Sequence, residues 1–171
     1  PQHIVEMDLD GGYYGNVLPS SEWRMHQAIF NTFQSANAVV HTHSTYATAL
    51  SCLQTEVPAF HYMIGVTGGS SLRCARYATF GSKALSENML DAMRQRNACL
   101  LSNHGMICFG PNLEKALALA VEIENLCKQY VITRQAGNPV ILDDSEMAII
   151  LEKFKSYGKQ PDEMDSSSTP A

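Results

Sequence analysis

The stretch Ala38-Val39-Val40-His41-Thr42-His43 decides how this chain reads, together with Ala98-Cys99-Leu100-Leu101-Ser102-Asn103-His104-Gly105 further on. Each is a short apolar run that ends in histidine. Side chains alternate along a strand, so His41 and His43 leave on one face while Thr42 points to the other. Two imidazoles on one face can converge on a single metal ion, although a hydrogen-bonded structural pair has the same spacing. His104 strengthens the metal reading. It ends the second strand and precedes Gly105, where the backbone can turn tightly. Strand ends are where layered α/β domains build their sites. Three neutral histidines leave one coordination position open, as in catalytic zinc sites.

Outward from these runs, strands and helices alternate. Residues 4–9 alternate as a strand, and Asp10-Gly11-Gly12 is a turn. Pro19-Ser20-Ser21 begins a helix whose apolar positions are Trp23, Met25, Ile29, Phe30 and Phe33. A short helix is predicted over 46–53, and a second strand-like stretch over 57–66 closes at Gly68-Gly69. Residues 83–96 are amphipathic with helical period, and 106–109 is another apolar run. The longest helix is predicted over 113–136 with Gly137 as its C-cap. The last follows Asp143, where Asp143 and Glu146 have capping-box spacing, and ends near Phe154. The pattern is an α/β domain over 1–158 with a tail, 159–171, whose Pro, Ser and Asp content predicts disorder. The strand pattern begins so close to Pro1 that the domain is expected to lack its N-terminal part.

Composition narrows the function classes. The chain has 171 residues, 17 acidic and 12 basic side chains, and a net charge of -5. That balance argues against nucleic-acid or anionic-membrane partners. No apolar run approaches a membrane span, and no signal peptide is visible. Five cysteines without a C-x-x-C suggest reduced thiols in a cytoplasmic protein. Charged residues are 17% of the chain, against about 25% for a typical soluble protein. Either another subunit covers part of the surface, or that surface is built on Ser, Thr, Asn and Gln.

Glu22, at a helix start, has two readings. It complements the helix dipole, or it lies beside a phosphate held by backbone N–H groups and the hydroxyls of Ser20 and Ser21, as ligand or general base. His26, one turn on, reads as packed or hydrogen-bonded. His3 and His61 read as structural or exposed.

Seven ordered segments over residues 4–158 resemble the class II aldolase/adducin family, on its sugar-phosphate aldolase branch. They are Pro-Ser-Ser-Glu-Trp-Arg-Met-His at 19–26, Ala-Val-Val-His-Thr-His at 38–43, Phe-His-Tyr-Met-Ile at 60–64, Tyr-Ala-Thr-Phe-Gly at 77–81 and Asn-His-Gly at 103–105. Leu-Glu-Lys-Ala-Leu-Ala-Leu-Ala at 113–120 and Leu-Glu-Lys-Phe-Lys-Ser-Tyr-Gly at 151–158 complete them. The resemblance implies a three-layer α/β/α domain and one Zn2+ per subunit on His41, His43 and His104. Glu22 is then a fourth ligand that becomes the acid/base when substrate displaces it. It also implies a phosphate site including Ser20 and Ser21, and Tyr62 acting as proton donor in a neighbouring subunit's site. Tyr157, with Phe154, closes over the substrate, and the subunits form a cyclic homotetramer with sites between them.

The activity implied is reversible cleavage of a phosphorylated ketose to dihydroxyacetone phosphate and an aldehyde through a zinc-stabilised enediolate. Epimerase, dehydratase and decarboxylase relatives share the chemistry, and adducin-like heads, which lack the histidines, only assemble. Family members carry a Gly-Asn phosphate loop ahead of the point at which this sequence begins. The chain also carries Arg73 and Arg76, which read as solvated surface cations or an added anion contact, where close relatives usually have proline, and its tail diverges after Gly158.

Overall fold

The computed structural model describes residues 2–156. Two short strands, β1 (Glu6–Met7) and β2 (Tyr13–Tyr14), pair antiparallel. The carboxylate of Asp8 accepts the N–H groups of Asp10 and Gly12 and closes the turn between them. The predicted strand over 4–9 is thus only two residues long. Helix α1 (Trp23–Thr32) follows and buries Met25 and Ile29, one turn apart on its inner face.

Strand β3 (Ala38–Thr42) leads into helix α2 (Thr45–Ser51), and β4 (Val57–Pro58) pairs with β5 (Ser71–Leu72). Between β4 and β5 the chain departs from expectation. Residues 57–66 are not a continuous strand: after β4 a tight turn leads to a 3-10 helix, Tyr62–Thr67. Phe60 N–H donates to the Pro58 carbonyl, and His61 Nδ1 accepts the Met63 N–H at 3.2 Å, capping the helix. A short apolar run is equally compatible with a buried helical turn, so periodicity alone could not separate the two.

Strand β6 (Cys74–Ala75) precedes helix α3 (Lys83–Ala92), which Ser82 caps through the Leu85 N–H. This helix ends earlier than the predicted 96, because Gln95 takes a left-handed φ of 59°. Strands β7 (Ala98–Leu101) and β8 (Gly105–Gly110) form a hairpin. Helix α4 (Leu113–Ala136) has the predicted limits, with Asn112 accepting the Lys115 N–H at 2.8 Å. Gly137 ends it in extended backbone (φ 162°), not in the expected left-handed cap. In α5 (Asp144–Phe154), Asp143 accepts the Glu146 N–H at 2.9 Å, as its spacing predicted.

The central sheet has the order β3-β8-β7-β6, antiparallel except for the β6–β7 pair. Both faces are covered, which is why β7 and β8 read as unbroken apolar runs rather than alternating ones. Ala98, Leu100, Met106 and Cys108 pack with Ala47 and Leu50 of α2 and with Ala120, Ile123 and Leu126 of α4. Cys99, Leu101, Ile107 and Phe109 pack on the opposite side with Met25 and Ile29 of α1 and Leu85 and Met89 of α3. The result is the three-layer α/β/α arrangement.

Ile123 is fully buried between α4 and the sheet. Truncation to alanine leaves a cavity that close packing cannot fill. We expect Ile123→Ala to lower the unfolding free energy by about 2–5 kcal/mol in a urea titration. A loss below about 1 kcal/mol would show that this layer is not tightly packed.

Candidate metal centre

Strand pairing creates the site. In the β3–β8 ladder, His41 lies opposite Ile107 and Thr42 opposite Met106. The end of β3 therefore lies beside the start of β8, next to the turn that carries His104. Convergence comes from antiparallel pairing, not from the carboxyl edge of a parallel sheet. Gly105 makes the close approach possible: a Cβ there would stand 2.4 Å from the Thr42 carbonyl. Its φ is ordinary; the left-handed residue of this turn is Asn103, at 52°.

Glu22, His41, His43 and His104 each offer one ligand atom within 4.8 Å of the others. The three imidazole rings stand at 4.8–4.9 Å between centroids, mutually edge-on. His41 Nε2 is 3.1 Å from His43 Nε2 and 3.0 Å from Glu22 Oε2, while His104 Nε2 is 2.9 Å from Glu22 Oε1. On the far side of its ring, His41 Nδ1 donates to the Met106 carbonyl at 2.8 Å. That bond fixes the tautomer and leaves the Nε2 lone pair facing the cluster. Glu22 Oε1 is buried, with His104 Nε2 as its neighbour at 2.9 Å. Lone pairs gathered at one point in this way can hold a cation. Three imidazoles and a carboxylate form a four-donor set suited to a divalent metal.

Glu22 stands at the start of α1, where its side chain makes no capping hydrogen bond; its carboxylate turns to His41 and His104 instead. Ser20 Oγ accepts the Glu22 N–H at 3.2 Å, and both Ser20 and Ser21 are exposed. Ser21 lines a cavity of about 310 Å³ together with Glu22, His43 and His104, whereas Ser20 lines a separate one beside Trp23. Tyr77, Phe80 and Asn103 also line the cavity beside the histidines. The sequence reading gave them no role, although two exposed aromatics just before a glycine were a usable signal. Gly81 (φ +70°) lets their loop cross the start of α1, since a Cβ there would stand 2.7 Å from the Ser21 carbonyl.

Other expected residues lie elsewhere. Tyr62 is 47% exposed and lines a different cavity, with Phe60, Ile150 and Phe154. Tyr157 falls outside the described residues, as does the tail. Phe154 packs its ring where a Cβ on Gly65 would otherwise lie, 2.7 Å away. Arg73 is half-buried and not a fully solvated cation: it donates to the Ala92 and Arg94 carbonyls at the end of α3. Arg76 is exposed and pairs with Asn88. The cavity beside them is larger, about 640 Å³, but Glu56 and Asp91 offset its arginines and it gathers no comparable donor set.

Against this geometry, comparison with known proteins is decisive. Residues 1–131 match the family described as Class II Aldolase and Adducin N-terminal domain. The chain belongs to the class II aldolase and adducin family. L-fuculose phosphate aldolase of Escherichia coli (strain K12) is 49% identical over 162 residues, which is 94% of this chain and 75% of that protein. The 5-methylthioribulose-1-phosphate/5-deoxyribulose-1-phosphate aldolase of Rhodospirillum rubrum is 48% identical over 158 residues, covering 92% and 72%. A solved L-fuculose 1-phosphate aldolase superposes with a TM-score of 0.84 at 45% identity, covering 88% of this chain and 71% of that one. This member of the family is an aldolase-like lyase.

Burial lowers the pKa of His26, and the nearby His41 lowers it further against the pull of Glu22. Burial likewise lowers His104, opposed first by Glu22. A depressed histidine binds fewer protons folded than unfolded, so its stability is complete above the ordinary value of 6.5 and is lost as pH falls below it. We expect the unfolding free energy to fall on acidification through that range, and His26→Gln to make the fall shallower. Identical slopes for the two proteins would contradict a depressed pKa of the half-buried His26.

Proposed function

We propose that the chain is a zinc-dependent sugar-phosphate aldolase that reversibly cleaves a ketose 1-phosphate to dihydroxyacetone phosphate and an aldehyde. The observation that carries this reading is the contact of the two Glu22 oxygens with His41 and His104, beside His43, in a cavity open to a small ligand. The two named relatives support the substrate class. Fuculose phosphate and methylthioribulose 1-phosphate aldolases act on different sugars. Ketose 1-phosphates share the phosphorylated three-carbon end and differ in the aldehyde portion.

When bound by His41, His43, His104 and Glu22, zinc supplies Lewis-acid charge against the negative charge left as the carbon–carbon bond breaks. The chain's own groups do the rest. In the condensation direction Glu22, freed by substrate, removes the carbon-bound proton next to the ketone of dihydroxyacetone phosphate. Tyr62 of a neighbouring copy gives a proton to the incoming aldehyde oxygen. Ser20 and Ser21, ahead of α1, hold the phosphate so that binding energy away from the reacting atoms is used for alignment.

The remote position of Tyr62 supports a shared site, because it is absent from the cavity that holds the histidines. An exposed apolar row on α4, formed by Leu113, Leu117 and Val121, supports a covered surface and hence a homotetramer. No described helix is long and apolar enough to cross a membrane, and the five cysteines are all unpaired; both fit a cytoplasmic enzyme.

Zinc-loaded protein incubated with a panel of ketose 1-phosphates is expected to release dihydroxyacetone phosphate, measured enzymatically. Glu22→Gln should reduce that release by about 10²–10⁴-fold. An isomeric sugar phosphate, or loss of water or carbon dioxide without the three-carbon product, would replace aldolase with a sister activity. Shared sites have a separate signature. Glu22→Gln and Tyr62→Phe subunits, each impaired alone, should regain turnover when dissociated and reassembled together. No recovery in mixed oligomers would assign Tyr62 no role across subunits.

A further inference from the structure

His43 and His104 lie at opposite ends of one short helix. The chain enters α2 (Thr45–Ser51) two residues after His43, and the far end of α2 meets the turn that carries His104. There the Ser51 carbonyl accepts the Asn103 N–H at 3.1 Å. The Ser51 hydroxyl, fully buried, accepts the His104 N–H at 3.3 Å and donates to the Thr48 carbonyl at 2.8 Å. Gln54 adds a bond from Nε2 to Asn103 Oδ1 at 2.6 Å. Helix α2 is therefore a strut between two of the metal-binding arms.

A helix of seven residues is not self-supporting, and its first turn leaves backbone donors unsatisfied. Ser44 stands at the capping position but makes no capping bond, and its hydroxyl is buried without a partner. The cap comes from another helix. Glu124 of α4 accepts the Tyr46 N–H on Oε1 and the Ala47 N–H on Oε2, both at 2.9 Å. Two charge-assisted bonds to one helix end, one per oxygen, hold both its position and its rotation.

We propose that Glu124 is a positioning residue of the metal centre: by clamping the start of α2 it sets where His43 leaves β3 and, through Ser51, where His104 stands. The carboxylate touches neither metal nor substrate. Its chemistry is specific, since a glutamine offers one acceptor oxygen where two N–H donors wait. The inference rests on the metal reading above, and its test separates the two.

Co2+ is titrated into metal-free wild type, Glu124→Gln, Glu124→Ala and Ile123→Ala, all as full chains, with circular dichroism to establish folding. Ile123→Ala controls for general destabilisation at the neighbouring position of α4. Visible absorption reports cobalt geometry, and the titration gives Kd. Glu124→Gln should bind about 10-fold more weakly with an altered cobalt spectrum, and Glu124→Ala more weakly still. Ile123→Ala should lose Tm and keep both readouts. Wild-type Kd and spectrum in folded Glu124→Gln overturn the inference, whatever happens to Tm, and this variant decides the matter if Glu124→Ala does not fold. A wild-type protein that binds no Co2+ overturns the metal reading itself.

Discussion

The antiparallel pairing of β3 with β8 is the constraint on which the rest of the molecule depends. Its register sets Thr42 against Met106 and so brings the end of one histidine-bearing strand beside the turn that carries the third histidine. The Met106 carbonyl also accepts the His41 Nδ1 proton, which orients one imidazole of the cluster. Slipping the register by one residue would turn His41 and His43 to the other face and exchange the two hydrophobic layers. The apolar core and the donor set are therefore specified by the same backbone hydrogen bonds.

Around this ladder, each part of the site is held by different means. Glu22 is placed by the start of α1, whose Met25 and Ile29 anchor it under the sheet. His104 is placed by a left-handed Asn103 and by Gly105, where there is no room for a side chain. The aromatic loop at Tyr77 and Phe80 is brought over α1 by Gly81, and Arg24 Nη1 donates to the Gly81 carbonyl at 3.2 Å. These are close backbone approaches between segments distant in sequence. A rigid donor set assembled in this way can hold charge without reorganising as a reaction proceeds.

Local signals were legible where they were self-sufficient. The limits of α4, the Asp143 cap of α5 and the strand 38–42 followed from periodicity, turn residues and capping chemistry within a few residues of each element. Legibility failed where tertiary context decided between two local options. The apolar run 57–66 holds a 3-10 turn because His61 caps it and its residues pack against both the sheet and α5. Arg73 read as surface charge, yet its partners are carbonyls at the end of a helix roughly twenty residues further on. Glu124 left only a faint trace, a carboxylate between the buried Ile123 and Leu126 of α4, because its partners belong to another helix.

By itself, the sequence determined the alternation of strands and helices, the pairing of His41 with His43 on one face, and the family to which the chain belongs. Those properties depend on side-chain period and on residue types in fixed order, both local. The tertiary structure decided that three histidines and Glu22 meet at one point, that Tyr62 stands apart from them, and that a single short helix joins His43 to His104. These depend on strand register and on gaps left between packed backbones, which no stretch of sequence encodes alone. Convergence of groups far apart in the chain is a property of closure of the fold, and only the closed fold shows it.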